Sequence, residues 1–210
     1  HMPQLRVPFI GDENVPYCVL LENSDSESED HARARFEALL ETAFEDGCVT
    51  VPKGAGLGVA FHFSHQGYFA EVAEVSVSAN KKVKVHKVWA VADPGTAIQP
   101  KHLRQQLETG IIWGMSAGLR EQIAIKGGEV QQSNFYDYPV PRMDEMPDID
   151  IHIVEGAQGQ VSGAGQIGVA PMAPAIANAV FKLTGVRMRE LPMLPVRVKT
   201  ALNEQTVKTA

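Results

Sequence analysis

The feature that most limits what this chain can become is the stretch Val161-Ser162-Gly163-Ala164-Gly165-Gln166-Ile167-Gly168-Val169-Ala170-Pro171-Met172-Ala173-Pro174. Glycines at 163, 165 and 168, with prolines close behind, rule out a strand or helix running through it. Beyond it, Ala175 to Phe181 reads as a helix. Pro174 suits a first helical turn, where its missing N–H costs nothing, and Gly185 stands where a left-handed cap would close the helix. Such a loop presents unpaired N–H groups beside a positive helix end, a general design for holding anionic groups.

The residues before it mix strands and helices. Val51 to Gly58 reads as a glycine-rich turn into Val59-Ala60-Phe61-His62-Phe63. Tyr68 to Val77 alternates in its second half as a half-buried strand does, Ser78 to Lys81 turns, and Val83 to Val91 returns as a β-hairpin. His86, between two lysines, falls on the exposed side and reads as a surface residue. After the turn Asp93-Pro94-Gly95-Thr96, Leu103, Leu107, Ile111, Met115 and Leu119 recur every fourth residue and predict a helix over 102–119. Gly110, Gly114, Ser116 and Gly118 are unusually small for a helix, each glycine costing ~1 kcal/mol against alanine, and call for close approach of another backbone or a ligand.

Glu121 to Ile125 and Glu129 to Gln132, around Gly127-Gly128, read as a second hairpin. In Asp148-Ile149-Asp150-Ile151-His152-Ile153-Val154 the isoleucines point one way and Asp148, Asp150 and His152 the other, a wet sheet face rather than a metal site. Leu191 to Val198 reads as an edge strand broken by Pro192 and Pro195, and the polar tail from Ala201 as frayed. Hairpins outnumber βαβ units in this reading, so the class is α+β.

Upstream, Tyr17 to Leu21 is a strand candidate, and Glu22 to Asp30, with five acids in nine residues, reads as a solvated loop. From His31 a helical pattern places Phe36, Leu39, Leu40, Ala43 and Phe44 on one face and ends at Gly47. This divides the chain into an N-terminal segment (1–30), one principal domain (31–200) and a polar tail (201–210). His1-Met2 reads as an expression remnant. The net charge of −6 argues against nucleic acid as the main partner. Cys18 and Cys48 give neither metal-ligand spacing nor a disulfide framework. No apolar run approaches the ~20 residues of a membrane span, and no targeting signal is visible.

Gly163-Ala164-Gly165-Gln166-Ile167-Gly168 matches G-x-G-x-x-G, with Glu190 about where a ribose-binding acid would stand. The context is wrong for a dinucleotide site. The preceding strand ends near Val154, whereas that fingerprint needs its glycines directly at a strand-to-helix turn, and prolines separate this loop from its helix.

Taken together, these segments resemble the molybdenum-binding large subunit of the xanthine dehydrogenase/aldehyde oxidase family, in particular the isoquinoline 1-oxidoreductase and aldehyde dehydrogenase type. The likeness runs from about Arg33 to Met193. It includes Ser64 to Val77, Val85 to Val88, Asp93 to Pro100, Arg104 to Gly114, Gln132 to Pro139, Arg142 to Pro147, the glycine loop and Ala173 to Ala179. The resemblance implies a molybdopterin-type cofactor, often the cytosine dinucleotide form, and oxidation of an aldehyde or aromatic N-heterocycle with oxygen from water. It also implies an iron–sulfur partner subunit and a small-molecule substrate. Gln106 matches the family glutamine that approaches the molybdenum centre, and Gly163 and Gly165 match the glycines flanking the catalytic position.

Two departures stand out. The family pattern is Gly-x-Gly-Glu, the glutamate serving as general base, and this chain has Gln166. A carboxamide hydrogen-bonds but has no proton-accepting site near neutral pH. Thr109 also replaces a usual glycine. Secondly, the chain matches only the C-terminal half of a much longer subunit, so the remaining half of the large subunit becomes an expected partner. By itself the chain is expected to be inactive, with an apolar surface where that half packs. A non-catalytic cofactor-binding or assembly domain is the alternative.

Overall fold

The structure is a computed structural model that describes residues 54–154 and 161–209, with side chains as far as 204. The Tyr17–Leu21 strand, the acidic run and the helix from His31 lie outside the described residues. Strands β1 (Ala55–Ser64), β2 (Gly67–Val77) and β3 (Val83–Asp93) form an antiparallel meander. Helix α1 (Pro100–Leu119) follows, then a short exposed hairpin of β4 (Ile125–Lys126) and β5 (Glu129–Val130), and β6 (Asp148–Ile153). β6 joins β3 in parallel, giving a four-stranded sheet of order β1-β2-β3-β6. Helices α2 (Met172–Thr184) and α3 (Pro195–Thr209) complete the described chain. The α+β class holds, with one true crossover: β3, α1 and β6 form a βαβ unit that the hairpin-dominated sequence reading does not anticipate.

One face of the sheet carries the main core. Phe69, Ala73 and Val75 of β2, Val85, Val88 and Ala90 of β3, and Ile151 of β6 lie under Leu107 and Ile111 of α1 and Ile176 and Ala179 of α2. Each fully buried Leu or Ile contributes about 1.5–3 kcal/mol by leaving water. The opposite face is buried as well, by a second cluster that includes Phe61, Phe63, Tyr68, Val72 and Trp89. The expected half-exposed β2 is therefore incorrect: Gly67 to Val75 is buried on both faces, and Glu71 and Glu74 are buried with it.

Close backbone approach explains the small residues. A Cβ on Gly114 would lie 2.4 Å from the Val169 carbonyl oxygen, and one on Gly110 3.2 Å from the Gly168 Cα. What approaches the α1 stripe is thus a second backbone, the segment leading into α2. The expected turn over Val51 to Gly58 is corrected for the same reason. β1 already begins at Ala55, and Gly58 is a strand residue that lets α2 sit on the sheet, since its Cβ would lie 2.1 Å from the Ala175 carbonyl oxygen.

Three local expectations also change. His86 has no Cα partner on β2, because the register slips between Glu74/Lys87 and Val75/Val85. It is a half-buried bulge residue whose Nε2 lies 2.7 Å from the Ser76 hydroxyl, rather than an outward strand position. The second hairpin pairs only two residues on each side. Leu191 to Val198 is no strand: Pro195 opens α3, where proline is well suited, and the Leu191 and Pro192 carbonyls accept from Arg197 Nη1 instead of from a sheet. α3 continues through the tail expected to fray, crossing the boundary expected at 200.

Candidate functional site

The glycine loop lies beyond the carboxyl ends of the parallel pair β3 and β6, the end of an open sheet where ligands most often bind. Three anchors hold its first half. Val161 bridges to Gly95, the Ser162 amide and hydroxyl both donate to the Pro94 carbonyl (3.0 and 2.8 Å), and the Gly163 amide donates to the His65 carbonyl (3.4 Å). His65 and Gln66 make the β1–β2 turn with left-handed φ values of 51° and 64°. A Cβ on Gly163 would meet the His65 Cβ at 3.1 Å, so glycine lets the loop lie against that turn. Its second half is held by α1: Gln106 Nε2 donates to the Gly165 carbonyl (3.2 Å), and Gly168 is pressed against the Leu107 carbonyl and the Phe69 ring.

Between these anchors the backbone is open. Gly163, Gly165 and Gln166 are exposed, whereas Ile167 is buried like a plug beneath them. A Cβ on Gly165 would meet nothing within 4 Å. The structure thus brings together all four residues singled out from the sequence: Gln106 touches Gly165, and Gly163 and Gln166 lie in the same short loop. One detail of the loop-to-helix reading changes. Val169 N–H closes a turn on the Gln166 carbonyl at 3.0 Å, and α2 starts only at Met172, so the helix dipole does not reach Gly165. The Gly185 cap does form, with φ 70° and its N–H on the Phe181 carbonyl at 2.7 Å.

β6 shows the expected alternation: Ile151 is buried, and Asp148, Asp150 and His152 are exposed. Thr109 is half-buried and bonds back to the Gln105 carbonyl at 2.8 Å, facing its own helix. Two anchors are missed by sequence reasoning. Pro94 and His65 look like ordinary turn residues, and only the fold shows that their carbonyls dock the loop. A partial signal for Glu71 is legible, since it falls in phase with Phe69, Ala73 and Val75 on an otherwise apolar face.

The donor set is neutral: two carboxamides, Gln106 and Gln166, and exposed backbone. It can hydrogen-bond a large polar anionic group without adding negative charge, and among the described residues nothing lies within 4 Å of a Cβ placed on Gly165. This fits a pterin-type cofactor that brings its own metal ligands. A family model described as the molybdopterin cofactor-binding domain matches residues 27–147, and the chain belongs to that family. The isoquinoline 1-oxidoreductase subunit beta of Brevundimonas diminuta is 37% identical over 143 residues, which are 68% of this chain and 18% of that protein. Among solved structures, quinoline 2-oxidoreductase from Pseudomonas putida 86 aligns with a TM-score of 0.57 and 25% identity, covering 66% of this chain and 18% of that one. The aldehyde oxidoreductase of Desulfovibrio desulfuricans aligns with a TM-score of 0.58 and 28% identity, covering 64% and 15%. The family resemblance read from the sequence is borne out. The chain spans less than a fifth of the length of these relatives.

Proposed function

We propose that this chain is the part of a molybdenum hydroxylase that supplies one side of the molybdopterin site, in an enzyme oxidising an aldehyde or an aromatic N-heterocycle with oxygen from water. The observation that carries the reading is the Gln106–Gly165 junction, which holds open, exposed backbone next to Gln166 in a chain of the molybdopterin-binding family. When bound, the cofactor supplies the two-electron redox chemistry. This chain's residues hold and orient it. The Gln106 amide group, fixed by donating to Gly165, positions the loop and keeps its carbonyl oxygen free to accept. The exposed backbone at Gly165 borders the space the cofactor would take, while the Ser162 and Gly163 amides are committed to anchoring the loop on Pro94 and His65. Gln166 donates or accepts one hydrogen bond at the substrate side without taking up a proton.

The cytosine dinucleotide form, an iron–sulfur subunit as electron acceptor and the remainder of the large subunit as partner complete the proposal. The 210-residue chain alone is inactive in this account, because it offers one wall of the site. The test is to assay the chain with and without the large-subunit remainder and iron–sulfur subunit, for molybdenum content and for substrate-dependent dye reduction. Molybdenum with dye reduction in the assembly, and neither in the isolated chain, supports the reading. An assembly that binds cofactor but never reduces dye identifies a non-catalytic binding domain instead. Turnover by the chain alone would refute it.

A further inference from the structure

Glu71 lies in β2 between Ala60 of β1 and Ala90 of β3, on the face covered by α1 and α2. It is 0% exposed, and neither carboxyl oxygen has a hydrogen-bond partner among the described residues. No charged side chain comes to this face from β3, β6 or the buried sides of α1 and α2; α3 contributes Val198 to the core. Two cationic candidates lie at its margin. His62, two residues beyond Ala60 on the same side of β1, is half-buried and engaged in interactions of its own. Arg187 donates to Asn178 Oδ1 at 2.9 Å and stacks on the Phe181 ring. Neither bonds Glu71.

An ionised carboxylate in such a place loses its hydration and gains nothing in return, so the group takes up a proton instead. Burial alone pushes the Glu71 carboxyl well above the usual carboxylate range. The next residue on the same face is Phe69, whose ring rests against Gly168 at the base of the glycine loop. Phe69 thus links the face that buries Glu71 to the base of that loop. We propose that Glu71 is a buried proton-binding site: it stands as a neutral carboxylic acid under the helix layer, and its ionisation at higher pH loosens that layer and releases the glycine loop. The inference is independent of what the loop binds.

The direction follows from linkage. With its folded-state pKa raised, Glu71 stabilises the fold fully below the unfolded-chain value of about 4.3, and that contribution is lost as pH rises through the folded value. Chemical denaturation of the chain and of Glu71→Gln, from pH 5 to pH 8, reads this out. The variant is isosteric and neutral, and it leaves His62 and every other titrating group in place. The wild-type folded-to-unfolded ratio, divided by that of Glu71→Gln, is expected to fall about tenfold per pH unit until the folded pKa is reached. The infrared difference spectrum of the two folded proteins at neutral pH gives a second measurement that needs no unfolding. It should show a protonated-carboxyl C=O band present only in the wild type. Amide exchange at residues 165–168 should rise with pH in the wild type relative to the variant. Parallel stability curves or a missing carboxyl band would overturn the protonation, and equal loop exchange in the two proteins would overturn the coupling.

Discussion

At the scale of single residues, the proposed function turns on Gln166. Its backbone carbonyl closes the turn onto Val169 while the residue itself stays exposed, so the position is presented outward whatever side chain it carries. In the assembled enzyme Gln166→Glu is expected to raise turnover by about 10²–10⁴-fold, the usual contribution of a general base. A steady-state assay by dye reduction measures this, and no change would show that the position is not the base. Glu145 illustrates the opposite electrostatic case to Glu71. Burial pushes its carboxyl upward, but the hydrogen bond from Arg120, the Arg142 amide and the Arg120 and Lys82 charges outweigh it, and it lies below the usual range. Its contribution is present above the unfolded pKa and fades as pH falls through the folded one. Glu145→Gln should therefore cost about 1 kcal/mol or less at pH 7, as partly exposed pairs do, and less than that at pH 3. Urea titrations at the two pH values test it.

At the scale of elements, the α1–α2 crossing sets the loop. Gly110 and Gly114 allow the Gly168–Met172 backbone to lie on α1, which brings Gln106 within reach of Gly165. Gly114→Ala gains up to ~1 kcal/mol of helix propensity, but its methyl meets a backbone carbonyl that cannot turn away, an overpacking cost of about 1–3 kcal/mol. The expected outcome is a lower unfolding midpoint, and Gly58→Ala, against the α2 backbone, should fall further. Calorimetry of the two variants decides, and a rise in either midpoint would contradict this packing. The small-residue stripe was legible in the sequence because glycine density inside a helix has few other causes. The status of 191–198 was not. Proline tolerates a strand edge and a helix first turn equally, and only Arg197 capturing the Leu191 and Pro192 carbonyls settles it. Burial of β2 on both faces was hidden for a related reason, since Glu74 and Ser76, alternating with Ala73, Val75 and Val77, mimic the polar side of a half-buried strand.

At the scale of the whole molecule, the chain leaves large apolar side chains in water. Trp113 on α1 is 63% exposed and Ile98, just before that helix, 80%. The chain spans a small part of its relatives' length, and these residues are expected to be covered by the remainder of the subunit. Trp113 fluorescence should shift to the blue when that remainder is added, with Trp113→Phe as the control for buried Trp89. Emission that stays put would place the contact elsewhere. Gln106, Gly163, Gly165 and Gln166 were singled out through the family resemblance of their segments, and the fold brings them together at one loop. The docking of that loop on the Pro94 and His65 carbonyls was not legible, because backbone acceptors leave no mark in a sequence.

The central claim, that the open space over Gly165 is a cofactor seat, has a direct test. Among the described residues a Cβ there meets nothing within 4 Å and no left-handed φ forbids it, so Gly165→Val should fold with an unchanged unfolding midpoint. In the assembled subunit the same substitution should abolish molybdenum and pterin content, measured by elemental analysis and pterin fluorescence. Full cofactor content in a normally folded Gly165→Val enzyme would contradict the account.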